Sequence, residues 1–404
     1  VIVVMAVTPP KIVRGKERKQ ITAFLVEMDT PGVEIMHRCR FMGLKSLYNG
    51  VIRFTDVKIP RENMILEEGD GLRLALKTLN TGRLSIPAGV TGNSKWCMKV
   101  NRKWTNERIQ WGHPIGEHET IAGKQAKIAS DTFAMDAVWK IASAMADNKH
   151  FDIRLEAAIA KLFNTVSHYE LLQQTLQIRG GRGFETADSL RARGEEGVAI
   201  ERMLRDSRVN LIFEGSSEIM HLFIAREALD FHLQHIAALF NPGVSLGGKI
   251  MAFLKMMKIY SLWYPKLWIP VISAKKFGMD TRLNRHMRKV EQLSKKMSRT
   301  LFHKMAMYQK KMAEKQLLIN RFVDIGTELF IMSAACSYAG SLQASDPNAA
   351  NAVELADYYC KEATIRVEKL FSDIRRNNDS ATLKLNARFM HGAFEWLEDE
   401  IAKN

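Results

Sequence analysis

Residues 71–89 read GLRLALKTLNTGRLSIPAG, and the spacing of their apolar positions decides the fold. Leu72, Ala75, Leu76, Leu79, Arg83 and Ile86 recur at three and four, which predicts a long amphipathic helix with one buried stripe; Pro87 is expected to bend it. The same spacing returns in Ile159, Leu162, Phe163 and Val166. Upstream, residues 1–65 carry short β-type runs at 21–26, 33–36 and 51–57, with turn signals at Pro31-Gly32 and Asn49-Gly50. Downstream, the breaker cluster 241–248 (NPGVSLGG) reads as a domain boundary. The expected fold is α+β and mostly α. A partial β-domain spans 1–65, a four-helix bundle lies within 66–240, and an additional helical domain follows over 241–404.

Composition bounds the function. At 404 residues, 46% hydrophobic and 25% charged, the chain is a folded protein of two or three domains, which excludes disorder and small disulfide scaffolds. Its net charge of +15 calls for an acidic partner, substrate or surface. The excess is local: between Lys249 and Lys315 there are 17 Lys or Arg against three acids, Asp280, Glu291 and Glu314. Cys39, Cys97, Cys336 and Cys360 form neither a CxxC pair nor a dense framework, which fits a reducing compartment and no metal site. The most apolar stretch, Ile250 to Ser273, is interrupted by Lys255, Lys258, Lys266, Pro265 and Pro270, so no spanning helix is expected. The opening VIVVMA has no basic flank or cleavage site; it reads as a strand cut at its start, and the chain is expected to be part of a longer protein.

Two segments carry possible chemistry. In 205–219, RDSRVNLIFEGSSEI, Glu214 stands between Phe213 and Gly215, before a Ser-Ser pair that opens another helix. A carboxylate in a dry pocket there is a usable proton acceptor, and Ser216 or Ser217 can cap the helix. On pattern alone the segment also reads as a loop with a solvated glutamate. In 177–184, QIRGGRGF, paired glycines admit a close ligand and the flanking arginines suit a phosphate, although a helix C-cap explains the glycines as well.

Taken in order, 80–83 (NTGR), 106–118 (NERIQWGHPIGEH), 177–184, 203–206 (MLRD), 214–220 (EGSSEIM) and 224–227 (IARE) resemble the acyl-CoA dehydrogenase family over about residues 20–232. The helical tail is similar to that of very-long-chain and bacterial long-chain members. The resemblance implies FAD-dependent dehydrogenation of a long-chain acyl-CoA to the trans-2-enoyl-CoA in fatty-acid β-oxidation, with Glu214 as base. Some members place the base on the helix, at the position of Gly82 here, which cannot serve. By the same resemblance Arg108 and Trp111 bind the FAD of a neighbouring subunit. Gln177, Gly180 and Gly181 approach its adenosine end, Ser216 and Glu218 sit beside the flavin nucleotide, and Asn80, Arg83 and Gly215 belong to the substrate side. The 185–200 loop is longer than in short-chain members.

A homodimer and an electron-transfer flavoprotein as acceptor are implied in the same way. Over 249–315, Ile250, Phe253, Leu254 and Met257 make an apolar face, with Lys249, Lys255 and Lys258 opposite and Trp263, Tyr264 and Trp268 following. That pattern predicts peripheral docking on an anionic membrane, on the mitochondrial matrix side or in a bacterial cytoplasm; the competing reading is a packed helix with a solvated basic face. A non-catalytic scaffold homologue is the alternative function. A nucleic-acid partner is not expected, since only the pI suggests one.

Overall fold

A computed structural model describes the chain except residues 14, 149, 151, 241–242, 272–278 and 399–404. It folds as two compact units, Val1–Met220 and His221–Asn404.

The first unit opens with strands. β1 (Ile2–Val13) pairs antiparallel with β2 (Lys16–Val26), and the register slips between Thr8 and Lys11, where Pro9 and Pro10 have no N–H to give the ladder. β3 (Val33–Cys39) and β4 (Asn49–Phe54) make a separate hairpin, and the two-residue β5 (Met64–Ile65) joins β2. The expected Asn49-Gly50 turn is instead the start of β4: Gly50 pairs with Arg38, and the chain reverses just before it. Pro31-Gly32 is a turn, and Gly32 has φ +90° with no room for a side chain against the Thr55 carbonyl.

α1 (Gly71–Glu107) runs unbroken through Pro87. Short β6 (Ile109–Gln110) and β7 (His113–Pro114) lead into α2 (Glu119–Asp147) and α3 (Arg154–Arg179). A ladder of buried polar pairs ties α1 to α3. Asn164 donates to Thr91 Oγ1 at 3.0 Å, His168 Nδ1 meets Ser94 Oγ at 2.8 Å, and Asn101 donates to Thr175 Oγ1 at 2.9 Å. The partners stay 73 or 74 residues apart as both numbers rise, so the two helices run in the same direction. α3 is enclosed almost all round: Ala157 through Leu162 are buried without a gap.

The expected stripe of α1 is only half right. Arg83 is buried and Ala75, Leu79 and Ile86 are half-buried, but Leu72 and Leu76 are more than half exposed. No described element of this unit covers them, because the start of α1 is pinned to β2 by its other side, where Gly71 packs on the Ile21 carbonyl and Gly69 N–H donates to Thr22 Oγ1.

The 185–200 loop follows α4 (Gly181–Phe184), carries one short helix, α5 (Ala187–Ala192), and leads into α6 (Ile200–Ser207). Asp206 accepts the Leu44 N–H at 2.6 Å, fastening the helices to the strand region. α7 (Ser217–Phe240) begins in the first unit and continues into the second.

In the second unit α8 (Leu246–Trp263) is followed by α9 (Thr281–Tyr308), α10 (Gln316–Ser345), α11 (Ala352–Arg375) and α12 (Asp379–Met390). Asn241 and Pro242 of the breaker cluster, and Lys275 and Lys276 of the basic stretch, lie outside the described residues. α9, α10 and α11 pack around Leu293, Ile325, Met332, Tyr359 and Val367. The small run at Ala334, Ala335 and Cys336 is fully or nearly fully buried, as its side-chain size predicts, and brings Cys336 Sγ within 3.7 Å of Cys360 Sγ, both free thiols. Distant in sequence, these cysteines are neighbours in space.

Candidate functional site

Glu214 and Gly215 form a turn in which both residues are left-handed, at φ +56° and +96°. Gly215 suits this conformation; Glu214 carries a Cβ and is strained by it. Beyond the turn, Ser216 Oγ accepts the Ile219 N–H at 3.4 Å and caps α7, as the sequence suggested. A Cβ on Gly215 would meet Met220 Cε at 2.5 Å, which the end of that flexible side chain could yield, so it is the left-handed backbone that calls for glycine here.

The Glu214 carboxylate lies against α1. A Cβ built on Gly82 would stand 3.2 Å from both its Cδ and its Oε2. Gly82 is thus the hollow that receives the carboxylate. Oε2 is buried and has no hydrogen-bond partner among the described residues. Phe213, the apolar neighbour in sequence, is 38% exposed, and the group found against the carboxylate is Gly82 of α1. Arg83, next to Gly82, is buried, and Asn80 lies three residues earlier on the same helix. Glu218 is exposed on the first turn of α7.

Lys161 completes this cluster, and motif reading missed it. Its signal is a lysine inside the apolar run 157–162, AAIAKL. The residue is 0% exposed, and its Nζ donates to the Gly215 carbonyl at 2.6 Å. Burial pushes its ammonium down to about 8, with Arg83 adding to the fall and Glu214 and Glu218 opposing it.

A second cluster sits at the far end of α3. A cleft of about 950 Å³ is lined by Trp104, Arg108, Trp111, Arg179, Gly180 and Arg182, among others. α3 ends where Gly180 turns to φ +60°, and neither Gly180 nor Gly181 would bring a Cβ within 4 Å of another residue, which leaves backbone open to a ligand. Trp111 is 89% exposed, and Arg179 lies 4.8 Å over the Trp104 ring. Arg182 is held by Glu195 at 2.6 Å and Arg193 by Glu185 at 2.7 Å, whereas among the described residues no carboxylate pairs with Arg108. Those partners hold the Glu185 carboxyl down to about 2, Arg193 first and Ser189 second. Gln177 does not line the cleft; it is exposed, and its carbonyl accepts the Gly180 N–H. Ser216, Glu218, Arg83 and Gly215 do not line this cleft; Arg83 and Glu218 lie with Glu214 around Lys161, and Ser216 and Gly215 follow Glu214 in its turn. Lys161 and Arg179 are 18 residues apart on one helix, so the clusters are separated by about 27 Å along it.

Among the described residues no group of three or more His, Cys, Asp or Glu could hold a metal ion.

Residues 69–229 match the family described as acyl-CoA dehydrogenase, C-terminal domain, and residues 281–389 match the ACAD9/ACADV C-terminal domain. Over 390 residues, 95% of its length, the chain is 46% identical to the probable acyl-CoA dehydrogenase FadE10 of Mycobacterium tuberculosis (strain ATCC 25618 / H37Rv), and it spans 59% of that protein. It is 29% identical over 391 residues to the very long-chain specific acyl-CoA dehydrogenase, mitochondrial, of Rattus norvegicus, spanning 57% of it. Among solved structures, the acyl-CoA dehydrogenase complexed with FAD from Bacillus anthracis superposes with a TM-score of 0.66 at 21% identity, over 95% of this chain and 62% of that one; this is a likeness of fold. The chain therefore spans less than two thirds of the length of each of these relatives.

Proposed function

Because the chain belongs to the acyl-CoA dehydrogenase family, we propose that it supplies the catalytic base and much of the cofactor site of an enzyme that converts a long-chain acyl-CoA to the trans-2-enoyl-CoA in fatty-acid β-oxidation. The observation that carries this reading is the Glu214 carboxylate, seated over Gly82 with Oε2 buried and unpartnered. An acceptor oxygen left unsatisfied away from water is poised to take a proton. Glu214 removes the α-proton of the thioester, while Arg83, Asn80 and Gly215 stand on the substrate side. The long-chain preference is supported by the match over 281–389 and by the name of the rat relative.

The arginine-rich cleft fits FAD: Arg108 has no carboxylate partner, the glycine pair leaves backbone accessible, and Trp104 and Trp111 offer ring surfaces. Arg108, Trp111, Gly180 and Gly181 would hold its diphosphate and adenosine end, with Ser216 and Glu218 near the flavin end. When bound, FAD supplies the two-electron acceptor for the β-hydrogen. A homodimer in which the cleft of one copy serves the Glu214 of the other is part of the proposal: the two clusters lie about 27 Å apart along α3, and a two-fold pair can bring the cleft of one copy to the base of its partner. An electron-transfer flavoprotein as the onward acceptor is part of the same proposal.

Peripheral membrane docking, at a matrix-side or bacterial cytoplasmic surface, rests on α8. Ile250, Phe253, Leu254 and Met257 are each about half exposed or more, and α8 buries no residue. Trp263 and Tyr264 do not join that surface: both pack on Phe302, Trp263 also on Tyr260, and Tyr264 OH meets His303 Nε2 at 2.7 Å. Trp268 stays 58% exposed, with Arg299 over its ring. No described helix is long and apolar enough to cross a membrane.

The decisive experiment is anaerobic bleaching of the flavin by palmitoyl-CoA in Glu214→Gln. The amide keeps the shape and cannot take a proton, so reduction should slow by at least about a hundredfold with FAD and enoyl-CoA binding retained. Reduction at the ordinary rate would remove Glu214 as the base.

A further inference from the structure

We propose that Lys161 is a positioning residue for proton abstraction: its ammonium, tied to the Gly215 carbonyl, holds the Glu214–Gly215 turn so that the Glu214 carboxylate stays over Gly82. The inference rests on the reading of Glu214 as the base and adds the group that keeps it in place.

Three observations converge on it. The turn places two successive residues at positive φ, one of them not glycine, and such a turn persists only where its surroundings hold it. The tether acts on the Gly215–Ser216 peptide unit, one residue beyond Glu214, and so fixes the second of the two left-handed residues that aim the carboxylate at α1. Finally, Lys161 is a costly choice for its place. It is fully buried on the most enclosed face of α3, beside a second cation, Arg83, and a methionine of similar length would fill the same space without desolvating a charge. What methionine lacks is a charged donor for the Gly215 carbonyl and an attraction to Glu214 and Glu218. Hydrogen bonds from a charged donor are the stronger kind, and this one measures 2.6 Å.

The test separates proton abstraction from hydride transfer. An acyl-CoA with sulfur in place of C3 keeps an acidic α-proton and has no β-hydrogen to give up, so exchange of its α-protons with D₂O reports the base alone. Exchange, affinity for this analogue, FAD content and amide hydrogen exchange across 213–216 are measured in the FAD-loaded holoenzyme for Glu214→Gln, Lys161→Met and Lys161→Gln. In Lys161→Met, α-proton exchange should fall by about a hundredfold, the penalty of a misplaced group, while affinity and FAD content stay near wild type. The amides of 213–216 should exchange faster. Lys161→Gln keeps an N–H donor and should recover part of the rate and part of the protection.

Glu214→Gln without exchange, alongside Lys161→Met at the wild-type rate, would overturn the positioning role and leave the base in place. Normal exchange in Glu214→Gln would overturn the base reading itself. Loss of FAD or of fold in both Lys161 variants, in proportion to the loss of exchange, would assign the lysine to packing and also overturn the proposal.

Discussion

A Cβ added at Gly82 would stand 3.2 Å from the Glu214 carboxylate, tighter than ordinary contact, and this makes Gly82 a residue where stability and chemistry should move in opposite directions. Gly82→Ala replaces a glycine in mid-helix, worth up to about 1 kcal/mol of helix stability, yet pushes the carboxylate aside. A small rise in Tm with a clear fall in flavin reduction is expected; a variant with unchanged reduction would show that the carboxylate is not seated there in the working enzyme. From the sequence, Gly82 could be read as a position unable to act as a base. That its missing side chain is the seat of the base needed the fold. His168 offers a separate check. Fully buried between Ser94 and Ser207, it is pushed down to about 4 from an ordinary 6.5 by loss of water. The unfolded chain therefore binds the extra proton between those values. Stability from this group is complete above pH 6.5 and is lost as pH falls toward 4, by roughly 3 kcal/mol. In urea titrations across that window, His168→Gln should be less stable at neutral pH and should lack this part of the acid slope. Parallel slopes would rule His168 out as the source.

The helices were legible wherever apolar spacing met a partner. In α3 Ile159 and Leu162 are buried as their spacing requires, but Leu72 and Leu76 show that a correct period cannot say whether anything covers the stripe. The polar ladder joining α1 to α3 was not legible, because Thr91, Ser94 and Asn101 pair with residues some 73 positions away and nothing local marks them. Likewise Asn49-Gly50 carries a turn signature that the β3–β4 register overrides. α12 is held lightly. It buries no residue, and Arg321 grips Asp379 at its first turn through two hydrogen bonds of 2.7 and 2.6 Å. Arg321→Met should cost about 2 kcal/mol locally, releasing amide protection over 379–390 while the α10–α11 core keeps its own. Simultaneous loss in both places would mean that α12 is integral to the unit.

At the scale of the whole molecule, the charge surplus near α8 and the exposed apolar side chains on that helix should act together. Flotation with anionic vesicles should exceed that with neutral ones, fall at high salt, and weaken when Phe253 and Leu254 are changed to Ser; equal recovery on both lipids would leave α8 a solvated helix. α3 has the other large-scale consequence, since it carries Lys161 near one end and Arg179 at the other. If each working centre takes Glu214 from one copy and Arg108 from the other, two differently damaged genes can repair one another. Co-expression of a Glu214→Gln chain with an Arg108→Ala chain yields mixed pairs in which one centre inherits both lesions and the other inherits neither. Two inactive alleles would then return activity together, up to half the wild-type yield per mixed pair, and a heterozygous carrier of both would be partly protected by the geometry of a single helix.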